Sequence, residues 1–95
     1  MIKLTPAQKE SLAALYRESK EELKWVHFDY IYESRMAAKG RKPNWGYSRS
    51  TRVALEQLAA LIPRLVTQEA DSYKWRLTVA GQAVAKIQLG LGKKK

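Results

Sequence analysis

The sequence predicts a mainly helical domain with one small β-hairpin, in the order α-α-α-β-β-α. Three observations carry that expectation. Apolar residues recur at three- and four-residue spacings in separate stretches, and two short β-rich runs flank a polar tip near residue 70. Proline, glycine, serine and threonine stand where such elements must begin or stop. A chain of 95 residues suits one domain with a single core of two packed layers. Residues 1–89 are assigned to that domain and the basic stretch 90–95 to a frayed tail.

Thr5 followed by Pro6 starts the first helix: the hydroxyl can cap free amides, and proline has no N–H to satisfy there. Leu12, Leu15, Ser19, Leu23 and Val26 form its stripe, with a break expected near Ser19. The next segment, "KWVHFDYIYES", fits two patterns. Val26, Phe28, Tyr30 and Tyr32 alternate as in a strand, whereas Leu23, Val26, Tyr30 and Ser34 fit a helix. Length and flanking helix formers favour a second helix over residues 21–39, stopped by Gly40. Being apolar nearly all round, it is expected to be the central packed helix or a dimer surface.

Residues 40–48, "GRKPNWGYS", read as a long turn. Ser48 or Ser50 then caps a third helix, and Pro63 ends it because the residue before a proline is pushed out of the helical region. Thr51, Leu55, Leu58 and Ile62 share its buried face; Arg49, Val53, Glu56, Gln57 and Ala60 look outward, with Arg52 at the margin. "RLVTQE" and "SYKWRLT" form the hairpin, with Tyr73, Trp75 and Leu77 expected on the core and Lys74 and Arg76 on the other side. Thr78 caps a last helix whose apolar pair is Val84 and Ile87.

Charge points to a partner. The chain carries 18 Lys+Arg against 9 Asp+Glu, a net +9. Residues 1–34 hold five basic and six acidic side chains, whereas residues 35–95 hold thirteen and three. An excess gathered in one part favours a polyanion, because each cation set near a phosphate releases condensed counterions. Between Arg35 and Arg52 there are six basic residues and no acid.

Other chemistries find little support. With no cysteine, disulfides, thiolate catalysis and cysteine-bound zinc are excluded. His27 stands alone, so no metal site is expected, and Asp29 with Glu33 reads as charge balance on a helix face. There is no Ser-His-Asp order, phosphate loop or dinucleotide glycine pattern, so neither enzyme activity nor a cofactor is expected. No apolar run approaches the ~18 residues needed to span a bilayer, and "MIKLTPAQKE" has no apolar signal core. The expectation is a soluble cytoplasmic protein without a membrane partner, nucleoid-associated in a bacterial, archaeal or viral setting.

The stretch "YSRSTRVALEQLAALIPRLVTQEADSYKWRLTVAGQAVA" resembles the recognition-helix and wing segment of winged helix-turn-helix DNA-binding regulators, the MarR-like group among them. The features are a serine-rich helix start, leucines along the helix, "LV" opening the wing, a polar tip, and "LT"-x-x-"G" leading into a helix. In this chain "IPRLV" stands where the family commonly has a glycine before "LV".

The resemblance implies that the third helix enters the major groove of duplex DNA, where a helix ~10–12 Å wide fits a groove of ~12 Å. Arg49, Ser50, Arg52, Val53 and Gln57 are then the base-contact candidates, and Arg35, Lys39, Arg41, Lys42, Ser48, Lys74 and Arg76 the phosphate-contact candidates. Trp25, Phe28 and Tyr32 are candidates for a homodimer surface, which would let two copies read half-sites ~34 Å apart. The function expected is a small sequence-specific transcriptional or replication regulator. The alternatives are an RNA- or ribonucleoprotein-binding winged helix, and a protein-interaction module whose charge only solubilises it.

Overall fold

The computed structural model describes residues 3–20 and 22–91. In order they form α1 (Pro6–Ser19), β1 (Val26–His27), α2 (Phe28–Ala38), a 3-10 turn (Trp45–Tyr47), α3 (Arg49–Ala60), β2 (Val66–Gln68), β3 (Lys74–Leu77) and α4 (Val79–Ile87). Four helices thus accompany a three-stranded antiparallel sheet in the order β1-β3-β2.

α1 starts as its sequence dictates. Thr5 Oγ1 accepts from the Gln8 amide while Gln8 Oε1 accepts from the Thr5 amide, a reciprocal capping box, and Pro6 opens the first turn. The helix stops at Ser19, where Lys20 takes a left-handed conformation with φ 52°. Leu12, Ala14, Leu15 and Tyr16 are buried, and α1 packs against α2, α3, α4 and β3. The central helix is therefore α1, not the second helix as the all-round apolar pattern suggested.

The ambiguous segment is divided between its two patterns. Val26 and His27 form a short strand on β3, pairing with Trp75 and Lys74, and the helix begins only at Phe28. His27 makes the switch: its Nδ1 accepts from the Asp29 amide and caps α2. The expected helix over 21–39 is corrected accordingly, and the expected hairpin becomes a three-stranded sheet. Leu23, placed on the first helical stripe, lies exposed in the connection. Gly40 ends α2 with φ 67°, as expected.

On α3, Thr51, Ala54, Leu55 and Leu58 are buried. Ile62 is 98% exposed, because the helix ends at Ala60 and extended Leu61 carries the chain off the helical face. The Ile62–Pro63 peptide is cis. β2 and β3 pair Val66 with Leu77, Thr67 with Arg76 and Gln68 with Trp75. Val26, Val66, Trp75 and Leu77 are buried on the inner face of the sheet.

Tyr73, expected as a third core anchor, is 72% exposed: it precedes β3 in the hairpin tip, where Asp71 turns the chain with φ 56°. Thr78 caps α4 through the Gly81 amide and also donates its hydroxyl to Arg64 O. Beyond α4, Leu89 and Leu91 still pack on the core, whereas Ile87, paired with Val84 in the sequence pattern, is exposed. Residues 92–95, most of the expected tail, lie outside the described residues.

Candidate nucleic-acid interface

The exposed side of α3 faces two neighbours, the 3-10 turn before it and the hairpin after it. Between them runs an open groove of ≈ 1090 Å³. Arg49, Arg52, Val53 and Glu56 line it from α3, Gln68, Tyr73 and Trp75 from the hairpin, and His27, Phe28 and Asp29 from the start of α2. Trp45, Gly46 and Ser48 close its remaining side.

The long turn is held by an aromatic relay. Tyr32 Oη donates to Asn44 O at 2.6 Å and accepts from the Asn44 amide at 3.0 Å, pinning the loop to α2. Its ring contacts Trp45 at 4.8 Å between centroids and stacks with Phe28 at 6.4 Å. Asn44 Oδ1 accepts from the Gly46 amide and caps the 3-10 turn. Ser48 leads into α3 but does not cap it with its side chain, since its hydroxyl donates to Trp45 O.

The base-contact candidates divide into two sets. Arg49, Arg52 and Val53 line the groove, with Arg52 Nε 3.6 Å from Glu56 Oε2, an exposed pair of little energetic weight. Ser50 and Gln57 do not line it. Ser50 Oγ accepts from Arg35, and Gln57 Oε1 accepts from Gln8 Nε2 at 2.9 Å, which turns it toward α1.

Among the phosphate candidates, Lys39, Arg41, Lys42 and Lys74 are exposed. Lys39 Nζ lies 3.3 Å from Glu10. Arg76 is half-buried with its guanidinium 4.5 Å from the Trp25 ring centroid, a cation–π contact on the outer face of the sheet. Ser48 is half-buried with its hydroxyl engaged.

Arg35 is a correction. It is 6% exposed and cannot present its charge to a phosphate. Its Nε donates to Glu10 Oε1 at 2.8 Å, and its Nη1 donates to Thr51 Oγ1 at 2.8 Å and Ser50 Oγ at 3.0 Å. One guanidinium therefore joins α1, α2 and the first turn of α3. The partner acid lies 25 residues upstream, so a scan for local charge cannot find it.

The dimer candidates are also corrected. Tyr32 is 1% exposed, Phe28 is partly buried against the core, and Trp25 lies under Arg76. Among the described residues, the exposed aromatic side chains are instead Tyr30, Trp45 and Tyr73. Pattern reasoning missed His27, Asp29 and Tyr73 as groove residues. The His-Phe-Asp order was the available signal, being a cap followed by an acid in the first helical turn.

Burial pushes the Glu10 carboxyl up, but the hydrogen bonds and charges of Arg35 and Lys39 outweigh it and hold the group below its ordinary 4.5. A depressed folded value stabilises the native state above the ordinary carboxylate range, and that stability is lost as pH falls through the folded value. Urea unfolding followed from neutral to acid pH should show a loss below pH 4.5 that Glu10→Gln reduces. An identical acid limb in the variant would assign the loss to other carboxylates.

No group of three or more metal-ligating side chains occurs among the described residues, and no helix among them is long and apolar enough to cross a membrane. Comparison with protein-family models, with curated proteins and with solved structures finds no match to this chain.

Proposed function

We propose that the chain is a winged helix-turn-helix that binds duplex DNA as a small transcriptional or replication regulator. In this proposal α3 is the recognition helix and the β2–β3 hairpin is the wing. The observation that carries it is the setting of α3. One face is locked into the core by Thr51, Ala54, Leu55 and Leu58, while Arg49, Arg52 and Val53 stay exposed at the N-terminal end. Arginine suits bidentate pairing with guanine, and valine suits a thymine methyl. The exposed cations of the α2–α3 connection precede this end of α3, and Lys74 lies on the hairpin. β1 fastens that hairpin to the start of α2, which limits its swing relative to α3.

With Arg35 withdrawn into the core, five phosphate cations remain: Lys39, Arg41, Lys42, Lys74 and Arg76. Affinity for duplex DNA should then fall with salt at a log–log slope of about −4.5. Arg49→Ala and Arg52→Ala should each cost roughly 1–3 kcal/mol on a selected site. Fluorescence anisotropy across a salt series reads both. A flat slope, or no binding at low salt, would overturn the proposal.

A further inference from the structure

The groove between α3 and the hairpin differs in character from the rest of the basic half. Its lining holds two arginines, Arg49 and Arg52, and two carboxylates, Asp29 and Glu56, whereas the chain as a whole carries +9. A trough for phosphates would not place two carboxylates in its wall, since each repels the backbone the arginines attract. The groove is instead aromatic. Trp45 stands 47% exposed at one wall and Tyr73 72% exposed at the hairpin, with partly buried Phe28 of α2 behind them and Trp75 buried in the floor. His27 lies between Tyr73, at 6.1 Å, and Tyr30, at 6.5 Å.

Exposed aromatic faces beside Glu56, Gln68 and Asp29 suit one kind of ligand: a neutral planar group with hydrogen-bonding edges. We infer that the groove takes an unpaired nucleobase from a strand whose phosphates run over the surrounding cations. Bases inside a duplex are already stacked and cannot offer their faces to Trp45 or Tyr73; unpaired bases can, on aromatic side chains of this kind. Glu56 supplies an acceptor for an exocyclic amino group, as carboxylates do for cytosine. Arg49 and Arg52 line the same wall and supply donors for a base edge. The preferred ligand is thus a nucleic acid in which paired and unpaired segments meet.

This pocket rests on the nucleic-acid proposal above, and its test separates the two. A blunt DNA duplex, the same duplex with a short unpaired DNA tail, and the same duplex with an RNA tail are titrated at fixed salt. 2-Aminopurine in the unpaired segment reports stacking by quenching.

A tail should tighten binding by roughly five- to hundredfold and quench the probe, in line with one stacked base. Tyr73→Ala should remove both gains and leave blunt-duplex affinity and its salt slope unchanged; Tyr73→Phe should keep them. Trp45→Ala should act likewise, though Trp45 also touches Tyr32, which makes the exposed Tyr73 the cleaner site. A stronger gain from the RNA tail assigns the strand as RNA and supports the pocket equally. Equal affinity for blunt and tailed duplexes with an unquenched probe overturns the pocket and leaves duplex binding standing. Absence of binding to every ligand overturns both.

Discussion

Gly81→Ala should destabilise the fold by about 3 kcal/mol, although glycine-to-alanine inside an exposed helix ordinarily gains ~1 kcal/mol. A Cβ built at Gly81 falls 1.8 Å from Leu65 O and 2.7 Å from its carbonyl carbon. Those are backbone atoms and cannot rotate aside, so α4 or the chain entering β2 must move. Neither is free. Leu65 O accepts from the Thr78 amide at 3.1 Å, and Thr78 in turn caps α4 through Gly81. Leu65 also donates its amide to Leu58 O at the end of α3.

Displacing this contact therefore disturbs the joint of α3, the hairpin and α4 together. Thermal unfolding should show a fall of more than roughly 10 °C, while Ala83→Gly, at an exposed position on the same helix, should lose only ~1 kcal/mol. A gain in stability for Gly81→Ala would refute the close approach of α4 to Leu65.

At the same joint, the core position of Leu77 and the Thr78 cap of α4 were readable in the sequence. Leu77 enters the core, Thr78 ends the strand and starts the helix, and Gly81 permits the contact. The Thr78 cap is local and so leaves a local signature, whereas the close approach of Gly81 to Leu65 is made only by the fold. The Thr5 cap and Pro6 at the start of α1 were legible for the same reason as the Thr78 cap. Short-range patterns failed where a tertiary partner decided between two local options. Val26 and His27 could continue a helix or pair as a strand, and the edge of β3 decided for the strand. Tyr73 alternates correctly with Trp75 and Leu77 and its carbonyl still accepts from the Phe28 amide, yet it stands at the tip end of the hairpin and is left exposed, which alternation alone does not tell.

The candidate site divides along the same line. The exposure of Arg49 and Val53 follows from helical periodicity alone, because their positions oppose Thr51, Leu55 and Leu58, whereas Arg52, marginal by periodicity, is exposed in the fold. The neutral, aromatic character of the groove does not. Its residues come from the start of α2, the turn before α3 and the hairpin, and only the fold brings them together.

Arg35→Ala should cost about 3 kcal/mol of stability while leaving the salt dependence of the proposed DNA binding intact wherever the variant stays folded. The substitution strips three partners at once. Thr51 Oγ1, on a fully buried residue, loses its donor, Ser50 loses another, and Glu10 keeps only Lys39. A buried hydroxyl left unpaired and a carboxylate left half-neutralised each oppose folding. Arg35→Lys should recover little, since one ammonium on a flexible stem cannot span Glu10, Ser50 and Thr51 as the guanidinium fork does.

The contrast is with Arg41→Ala and Lys42→Ala. Both residues are exposed, so stability should stay within ~0.5 kcal/mol while each removal lowers the salt slope by about one. Arg35 would then position α3 through its first turn, and the cations that follow it would hold the backbone of the nucleic acid. If Arg35→Ala instead folds as stably as the parent and reduces the slope by one, the guanidinium leaves its three-helix site to meet a phosphate, and the division between core and contact cations fails.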